Sequence, residues 1–431
     1  MSKTECDVLI IGAGITGSIA ASILKKNYNV IVVEKRSVGS HDPSYYIAMD
    51  ILERYDLTSK IQNIINAFSY DTDNGLETHA DTGKGSFGNL NYRDMCNQLL
   101  KGVTVIFDSF SNIDLDKSTA EFDSGNIINF KVLIDATGWE SPVRKNLGLI
   151  KPVIGPHTVL LKIENCNIKD PNLMIFNVGD IASFGYWMEP ISETEVLAGT
   201  GYWDYLDTPS NLRALDQMIK EYIDQYPEIF SEAIITGRYY AKIGADPVKD
   251  IVYKNMISLG ESAGQANPYW CLGAGKIIPQ VEYACEVISK YLTSSGSLQD
   301  YQNNWENSLK NEYQSLWARG RVIWNFGAEE WKYLLSRRLQ TKSEIDPDKV
   351  AERMDGRRKY GLLYSIKTLG IKNIVNIFRY KKLFKRRLNN DELFTNYKFK
   401  FRSPSNTFNF NDYWNKEDNI IKLHEKYLLL H

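Results

Sequence analysis

Three glycines near the start of the chain, Gly12, Gly14 and Gly17, stand where a tight turn could bind phosphate groups. The sequence predicts a buried strand over residues 7–11 and a helix over residues 15–26. The first glycine then permits the turn, the second lets the backbone approach a pyrophosphate, and the third lets the helix pack on the strand. The predicted helix opens with Ile15 and Thr16, and its unpaired N–H groups would point at the phosphates. The pattern predicts a dinucleotide site, with a glycine-rich turn of an ordinary α/β protein as the alternative.

An acidic residue ends the second predicted strand, which covers residues 30–33. Glu34 lies about 20 residues beyond Gly12, where a carboxylate binds ribose hydroxyl groups in such folds. An acid at this place argues against a 2′-phosphate on the ribose. Lys35 follows directly, and we include it in the predicted cofactor site.

Three further segments, far apart in the sequence, complete the predicted cofactor site. Arg93 lies in a predicted helix, and Asp135 ends a predicted buried strand that runs directly into Gly138. Gly260 and Glu261 follow another predicted strand. Each segment is of a kind that contacts a different part of one large dinucleotide, so the set indicates the cofactor more strongly than any single motif.

The order of the predicted elements divides the chain into three parts. Residues 1–150 and 244–300 are predicted to form a discontinuous, Rossmann-type nucleotide-binding domain. Residues 151–243 alternate between predicted strands and form an antiparallel-sheet substrate domain, and residues 301–431 form a C-terminal helical region. The predicted fold class is α/β, or α+β overall. A helical patch is expected near residues 51–68.

Charge and cysteine content exclude several classes of function. The 51 Lys and Arg residues nearly balance the 53 Asp and Glu residues, so nothing in the composition indicates nucleic acid. The five cysteines are odd in number and lack paired metal-ligand spacing, which predicts a reducing compartment, no disulfide framework and no metal site. No run reaches the roughly eighteen apolar residues that span a bilayer, and the start lacks the pattern of a signal peptide. We therefore expect a cytoplasmic protein.

The segment around Arg93 resembles the arginine-bearing helix of the flavoprotein group that includes p-hydroxybenzoate hydroxylase. Residues 135–144, Asp-Ala-Thr-Gly-Trp-Glu-Ser-Pro-Val-Arg, are similar to that group's Asp-Gly motif. Gly260-Glu261 stands at the place of its Gly-Asp motif, whose acid holds the ribityl chain of FAD. Within the group the chain resembles archaeal geranylgeranyl reductases, of the digeranylgeranylglycerophospholipid reductase type, which saturate prenyl chains of membrane lipids. Three further segments carry this second likeness: residues 185–190, 264–276 and 401–405.

The resemblance implies FAD as the cofactor and places a helix N-terminus at the flavin ring. That helix begins with Gly273, Ala274 and Gly275, and its positive end would stabilise negative charge on the reduced ring. Reduction of an isolated double bond needs a hydride on one carbon and a proton on the other, so a proton donor must lie nearby. Cys271 is the candidate donor, and a small buried hydrophobe is its alternative role.

An apolar tunnel for a prenyl chain is also implied, with packing between the sheet and the cofactor domain as the alternative. Its predicted lining is Tyr186, Trp187, Met188, Tyr269 and Trp270.

The sequence departs from the reductase pattern at several places in the predicted site. Ser44 stands where the family carries a cysteine near the flavin, and Glu261 replaces an aspartate. Residues 269–272 interrupt a glycine run. Glu189 occupies the phenylalanine position of a Tyr-x-Trp-x-Phe-Pro box, and because a buried carboxylate is costly we expect it at the tunnel mouth. These departures predict a remodelled substrate pocket.

Residues 379–388 contain six Lys and Arg residues mixed with Tyr, Leu and Phe. This composition predicts peripheral contact with anionic lipid on the inner face of the cell membrane, with a solvated charged face as the alternative.

The leading hypothesis is an FAD-dependent reductase of geranylgeranyl chains in isoprenoid lipids, with electrons from NAD(P)H, ferredoxin or another redox partner. A flavin-dependent monooxygenase or halogenase of the same fold, a flavin- or lipid-binding paralogue without turnover, and a non-redox flavoenzyme related to lycopene cyclases are the alternatives.

Overall fold

The computed structural model describes residues 3–40, 43–71, 78–81, 87–149, 156–177, 186–203, 219–220, 223–244, 247–267 and 273–323, with residues 371, 374, 375, 377 and 378. The strands in these ranges are β1 Lys3–Ile11, β2 Val30–Glu34, β3 Ser44–Ala48, β4 Ile61–Ile65, β5 Ala67–Asp71, β6 Thr78–Asp81, β7 Phe87–Asn91, β8 Thr104–Phe107, β9 Phe110–Asp114, β10 Thr119–Phe122, β11 Ile127–Asp135, β12 Pro156–Glu164, β13 Leu173–Asn177, β14 Tyr186–Pro190, β15 Glu195–Trp203, β16 Ile234–Lys242, β17 Val252–Tyr253 and β18 Met256–Ser258. The helices are α1 Ile15–Leu24, α2 Met49–Arg54, α3 Tyr92–Leu99, α4 Pro142–Asn146, α5 Pro227–Phe230, α6 Ala274–Leu292, α7 Gln299–Asn304 and α8 Lys310–Ile323.

The first sheet is mostly parallel and has the strand order β17-β18-β11-β1-β2-β8, with β10 and β9 attached at β11. β1 pairs in parallel with both β2 and β11, and β11 pairs in parallel with β18. The central strands contain uninterrupted runs of Val, Ile and Leu at residues 8–11, 30–33 and 132–134, as expected for parallel strands that are buried on both faces. The predicted α/β class is confirmed, and the chain segments before and after the second sheet meet in this one sheet.

The second sheet has the order β16-β12-β15-β14-β13-β5-β6 and is antiparallel except where β5 pairs with β13. β5 and β6 come from the first 150 residues, so this sheet draws on both sides of the predicted domain boundary. The predicted helical patch near residues 51–68 is wrong over most of its length, since only α2 is helical there apart from a 3₁₀ turn, and β4 and β5 follow. The β-branched Ile61, Ile64 and Ile65 favour the extended conformation that β4 adopts.

The two faces of β14 point to different parts of the molecule. Tyr186 and Met188 pack into an outer core with Leu161 and Ala198. Trp187, with its neighbour Phe176 on β13, packs against the core around the first sheet. We call this second face the inner face. The alternation of side chains along a strand puts Glu189 on the inner face as well.

A three-stranded sheet, β3-β7-β4, joins the two larger sheets. Asn63 on β4 donates from Nδ2 to the carbonyl oxygens of Pro171 and Pro190, at 2.6 and 2.9 Å, and so fixes this sheet to the end of β14. On the other side of the molecule, α6 is followed by α7, a π-helical turn over Trp305–Leu309, and α8. Within the described residues every helix is too short or too polar to span a bilayer.

Candidate functional site

The glycine turn after β1 has the close contacts that a phosphate-binding turn requires. Gly12 adopts a φ of +107°, and a Cβ atom there would lie 2.3 Å from the carbonyl oxygen of Ala136. A Cβ atom at Gly17 would lie 1.9 Å from the carbonyl oxygen of Gly12. Only glycine fits at either place, because backbone atoms occupy the space of a side chain. β1, α1 and the segment after β11 therefore meet at this turn.

Protein groups already bind several N–H groups of the turn. Ala13 N donates to Glu34 Oε2 at 2.7 Å, and Ile15 N donates to the hydroxyl oxygen of Tyr92 at 2.8 Å. Gly12 N donates to the carbonyl oxygen of Val33. Within the described part of the chain, the N–H groups of Gly14, Thr16 and Gly17 remain for a phosphate. The predicted role of Ile15 is therefore restricted, since its N–H is engaged and its side chain is buried.

Glu34 and Lys35 lie at the end of β2, beside the glycine turn. Besides Ala13, the Glu34 carboxylate accepts a hydrogen bond from Arg36 N at 3.0 Å. Lys35 forms an ion pair with Glu140 at 2.5 Å, in the loop that leads to α4, and both side chains are more than 40% exposed. The hydrogen bond from Ala13 N thus holds the Glu34 carboxylate against the glycine turn. The ion pair of Lys35 with Glu140 connects the end of β2 to the loop before α4.

Arg93 lies in the first turn of α3, which Asn91 caps by accepting a hydrogen bond from Asp94 N at 3.0 Å. The Arg93 side chain is exposed, and its Nη2 atom lies 3.5 Å from Ser37 Oγ. A Cβ atom at Gly39 would come within 2.8 Å of the Arg93 Cα atom. The loop after Glu34 therefore packs directly on the start of α3, which places Arg93 near the end of β2 that carries Glu34.

Asp135 has no exposed surface and lies beneath the site. Its carboxylate accepts hydrogen bonds from the N–H and hydroxyl groups of Thr137, and its carbonyl oxygen accepts from Leu259 N and Ser262 Oγ. Burial raises the pKa of Asp135, against the opposing effect of these hydrogen bonds from Thr137. The position suits a residue that holds the β11 and β18 ends together, and Gly138 follows with a φ of +74° and open space around it.

Gly260 and Glu261 form a 3₁₀ turn after β18 that contacts the first turn of α1. Gly260 has a φ of +67°, and a Cβ atom there would lie 2.3 Å from Thr16 Oγ1. Glu261 is partly buried and accepts a hydrogen bond from Gly244 N at 3.4 Å. Burial raises the pKa of Glu261 to about 7. Two of the predicted segments, about 245 residues apart in sequence, therefore lie in direct contact.

The predicted ring-binding helix begins where expected, with Gly273 as the residue before α6. A Cβ atom at Gly273 would lie 2.8 Å from the hydroxyl oxygen of Tyr45 on β3. Ala274 and Gly275 are buried in the first turn. Tyr269, Trp270 and Cys271, predicted as tunnel lining and proton donor, lie outside the described residues.

The structure thus brings together Thr16 of α1, Glu34 and the 3₁₀ turn at Gly260, with α3 and its Arg93 alongside. The backbone around Gly12 and Gly260 leaves no room for side chains. At the α1 N-terminus, the N–H groups of Gly14, Thr16 and Gly17 have no protein partner within the described residues. The site therefore fits a dinucleotide such as FAD. Sequence reasoning missed Tyr92, whose hydroxyl group binds α1. Its place directly after the cap residue Asn91 is the signal that could have found it.

The predicted substrate residues separate onto the two faces of β14. Trp187 lies on the inner face, whereas Tyr186 and Met188 pack into the outer core, so the latter two serve packing in this structure. Glu189 does not lie at an open mouth as expected. It is only 5% exposed, and its carboxyl group accepts a hydrogen bond from Asn89 Nδ2 at 2.6 Å. A hydrogen-bond partner offsets part of the cost that makes a buried carboxyl group rare.

No protein-family model matches the chain. An uncharacterised protein of Methanocaldococcus jannaschii is 21% identical over 337 residues, which cover 73% of this chain and 83% of that protein. Among solved structures, a geranylgeranyl bacteriochlorophyll reductase-like protein from Thermoplasma acidophilum is similar, with a TM-score of 0.68 and 17% identity, covering 91% of this chain and all of that one. A flavin-dependent brominase gives a TM-score of 0.66 at 14% identity, covering 89% of this chain and all of that one. A flavoprotein/dehydrogenase from Cytophaga hutchinsonii gives a TM-score of 0.64 at 16% identity, covering 89% of this chain and 99% of that one.

These similarities define a class by fold. The chain shares its fold with a flavin-dependent enzyme and a flavoprotein, and its two larger sheets are one mostly parallel sheet and one largely antiparallel sheet. Identities of 14–17% to the solved structures establish the fold and leave the reaction to be argued from the site.

Proposed function

We propose that the chain is an FAD-dependent oxidoreductase that saturates double bonds of geranylgeranyl chains in isoprenoid lipids. The observation that carries the proposal is the contact of the Gly260 turn with the α1 N-terminus, together with an inner face of the second sheet that carries Trp187 and Phe176. The first part suits a dinucleotide and the second suits an apolar chain. The fold shared with a reductase-like protein over 91% of this chain supports the same conclusion.

In this proposal the N–H groups of Gly14, Thr16 and Gly17 bind the pyrophosphate, and Glu34 binds a ribose. Glu261 holds the ribityl chain, and the α6 N-terminus faces the flavin ring. The cofactor supplies hydride chemistry when it is bound. Trp187 and its neighbours hold the prenyl chain and exclude water, since burial of its apolar surface is its main source of binding energy.

The test is anaerobic incubation of the FAD-loaded, dithionite-reduced protein with unsaturated archaeal-type lipids, followed by mass spectrometry. The expected result is a gain of two hydrogens for each double bond that reacts. Trp187→Ala and Tyr186→Ala form a matched pair, because the two aromatic residues are adjacent on β14 but lie on opposite faces. The first variant is expected to lose turnover, and the second to lose stability with turnover retained. A protein that binds FAD and reduces no lipid would refute the proposal.

A flavin-dependent halogenase or monooxygenase is the second candidate, favoured by the similarity to a brominase over 89% of this chain. Oxygen consumption coupled to substrate would identify it, whereas the reductase works without oxygen. NADPH, NADH and reduced ferredoxin, supplied separately, would identify the electron donor. A bound flavin that none of them reduces, even with dithionite, would indicate a binding paralogue.

We further propose peripheral contact with anionic membranes through the C-terminal region. Three apolar side chains, Ile371, Val375 and Phe378, are 71, 46 and 57% exposed, at positions that share one face of a helix. The basic run 379–388, which lies outside the described residues, follows them directly. Sedimentation with phosphatidylglycerol vesicles should fall when Ile371 and Phe378 are replaced by Ser, and should fall as salt rises. Equal binding to phosphatidylcholine vesicles would contradict the electrostatic part.

A further inference from the structure

The turn that contains Gly260 and Glu261 is held by the fully buried side chain of Gln265. Gly260 N donates to Gln265 Oε1 at 2.8 Å, and Gln265 N donates to the carbonyl oxygen of Gly260 at 2.9 Å. The nitrogen of the same side-chain amide donates to the hydroxyl oxygen of Tyr301 on α7, at 3.1 Å. Gln265 therefore connects the turn that contacts the α1 N-terminus to the helices that follow α6.

Tyr313 of α8 joins this turn to the beginning of α6. Its hydroxyl group donates to the carbonyl oxygen of Gln265 and accepts from Gln280 Nε2 at 2.7 Å. Gln280 Nε2 also donates to the carbonyl oxygen of Lys276, in the first turn of α6, at 2.8 Å. Tyr313, Gln265 and Gln280 are all buried. Burial raises the pKa of Tyr313, so the phenol keeps the proton that it donates.

A proline weakens the connection between the first turn of α6 and the rest of that helix. Pro279 has no N–H group, so the carbonyl oxygen of Gly275 lacks its usual helical donor. A second link from α8 holds the same turn, since Lys276 Nζ forms an ion pair with Glu312 Oε1. The Lys276 side chain is only 8% exposed, and a buried ammonium group requires such a partner. The beginning of α6 is therefore fixed by α8 as well as by its own helical hydrogen bonds.

We propose that Tyr313, through Gln265 and Gln280, is a positioning residue for the flavin that holds the Gly260 turn and the first turn of α6 at a fixed separation. The inference rests on the cofactor placement in the proposed function, where Glu261 holds the ribityl chain and the α6 N-terminus faces the ring. Because the ribityl chain is bonded to the ring, the two protein segments can bind both parts at once only when they are held in register. The helix α8 then belongs to the cofactor site, although it contains none of the cofactor motifs.

The central variant is Tyr313→Phe, which removes the hydroxyl group and keeps the ring in the core. We expect the dissociation constant of oxidised FAD, measured by fluorescence titration, to rise about 3–10-fold, as for loss of one or two hydrogen bonds. Affinity for reduced FAD should fall further, because the positive end of α6 acts on the negative charge of the reduced ring. A tenfold greater loss for reduced FAD moves the midpoint potential about 30 mV more negative, which an anaerobic redox titration detects.

The matched control is Tyr28→Phe. The Tyr28 hydroxyl group also donates to a carbonyl oxygen of α6, that of Ser289, at 3.3 Å, but Ser289 lies about 20 Å along the helix from Lys276. Both variants should lower the stability of the flavin-free protein in urea unfolding, whereas only Tyr313→Phe should change the FAD affinity and the midpoint potential. If Tyr313→Phe does not fold, Gln280→Met carries the test. It removes the amide that binds Tyr313 and Lys276 at nearly constant side-chain length, and it should change both FAD readouts in the same direction.

The outcomes separate this inference from the function on which it rests. An FAD dissociation constant or a midpoint potential that stays unchanged in Tyr313→Phe would overturn the positioning role and leave the reductase proposal standing. Equal effects of Tyr313→Phe and Tyr28→Phe on FAD would also overturn it, since the hydroxyl group would then only stabilise the fold. Weaker FAD binding with a more negative potential, in Tyr313→Phe alone, supports the inference even if the wild-type protein saturates no lipid, a result that refutes only the reductase proposal. A wild-type protein that does not bind FAD would overturn both.

Discussion

Replacement of Gly260 by alanine tests the contact between the α1 N-terminus and the 3₁₀ turn. Gly260 has a φ of +67°, and the new Cβ atom would lie 2.3 Å from Thr16 Oγ1 and 3.1 Å from Thr16 Cβ. Gly138 is a matched control, since its φ of +74° is similar but a Cβ atom there meets nothing within 4 Å. The left-handed conformation costs an alanine about 1–2 kcal/mol, which is the expected loss for Gly138→Ala. Overpacking adds about 1–3 kcal/mol at Gly260, so we expect a loss of about 2–5 kcal/mol there.

Urea unfolding of the flavin-free protein, followed by circular dichroism, measures both variants, and Thr16→Ala completes a double-mutant cycle. Thr16→Ala removes the hydroxyl and methyl groups nearest to the new Cβ atom, so the double variant should recover part of the loss. The expected coupling is about 1–2 kcal/mol. A Gly260→Ala variant no less stable than Gly138→Ala would refute the proposed contact. The contact would also be refuted if the free-energy changes of Gly260→Ala and Thr16→Ala were strictly additive in the double variant.

Three further perturbations give expected outcomes. Folding raises the pKa of Glu261 from 4.5 to about 7, so between these pH values the carboxyl group is protonated in the folded protein and ionised in the unfolded one. The stability of the flavin-free protein should therefore fall by up to about 1.4 kcal/mol per pH unit as the pH rises through this window. Glu261→Gln should flatten that slope in urea titrations. Tyr92→Phe removes the hydroxyl group that accepts from Ile15 N and should lower stability by about 0.5–1.5 kcal/mol in thermal or urea unfolding, whereas an unchanged value would exclude this hydrogen bond. Gly199→Ala would bring a Cβ atom within 2.2 Å of the Trp187 ring, so the quantum yield of Trp fluorescence should change and lipid turnover should fall; unaltered spectra and turnover would show that Trp187 lies elsewhere.

The first sheet and its glycine turn could be predicted from sequence because their signals are local. Residues 8–11 of β1, 30–33 of β2 and 132–134 of β11 are uninterrupted apolar runs, and the structure places these strands side by side at the core of one sheet. From the sequence, Gly260 and Thr16 could be assigned to one common site, but their direct contact could not be predicted. Its geometry depends on strand order, which no single segment contains.

The second sheet was less predictable because the role of each residue there depends on which way its side chain points. Tyr186, Trp187 and Met188 are all apolar or aromatic, so hydropathy does not separate the inner face from the outer one. The burial of Glu189 depends on Asn89, a hundred residues earlier in the chain. Likewise the strand β5 is stabilised by its pairing with β13, a long-range contact without a local signal.

The pairing of β5 with β13 constrains the order in which the protein can fold. Ala67 pairs with Leu173, so about a hundred residues must be synthesised between the two strands before the second sheet can close. Non-local pairings of this kind are slow to form and leave strand edges exposed meanwhile. During synthesis the paired strands β5 and β6 are made long before β13, while most strands of the first sheet are already present. Translation speed and chaperone supply should therefore affect the yield of folded protein.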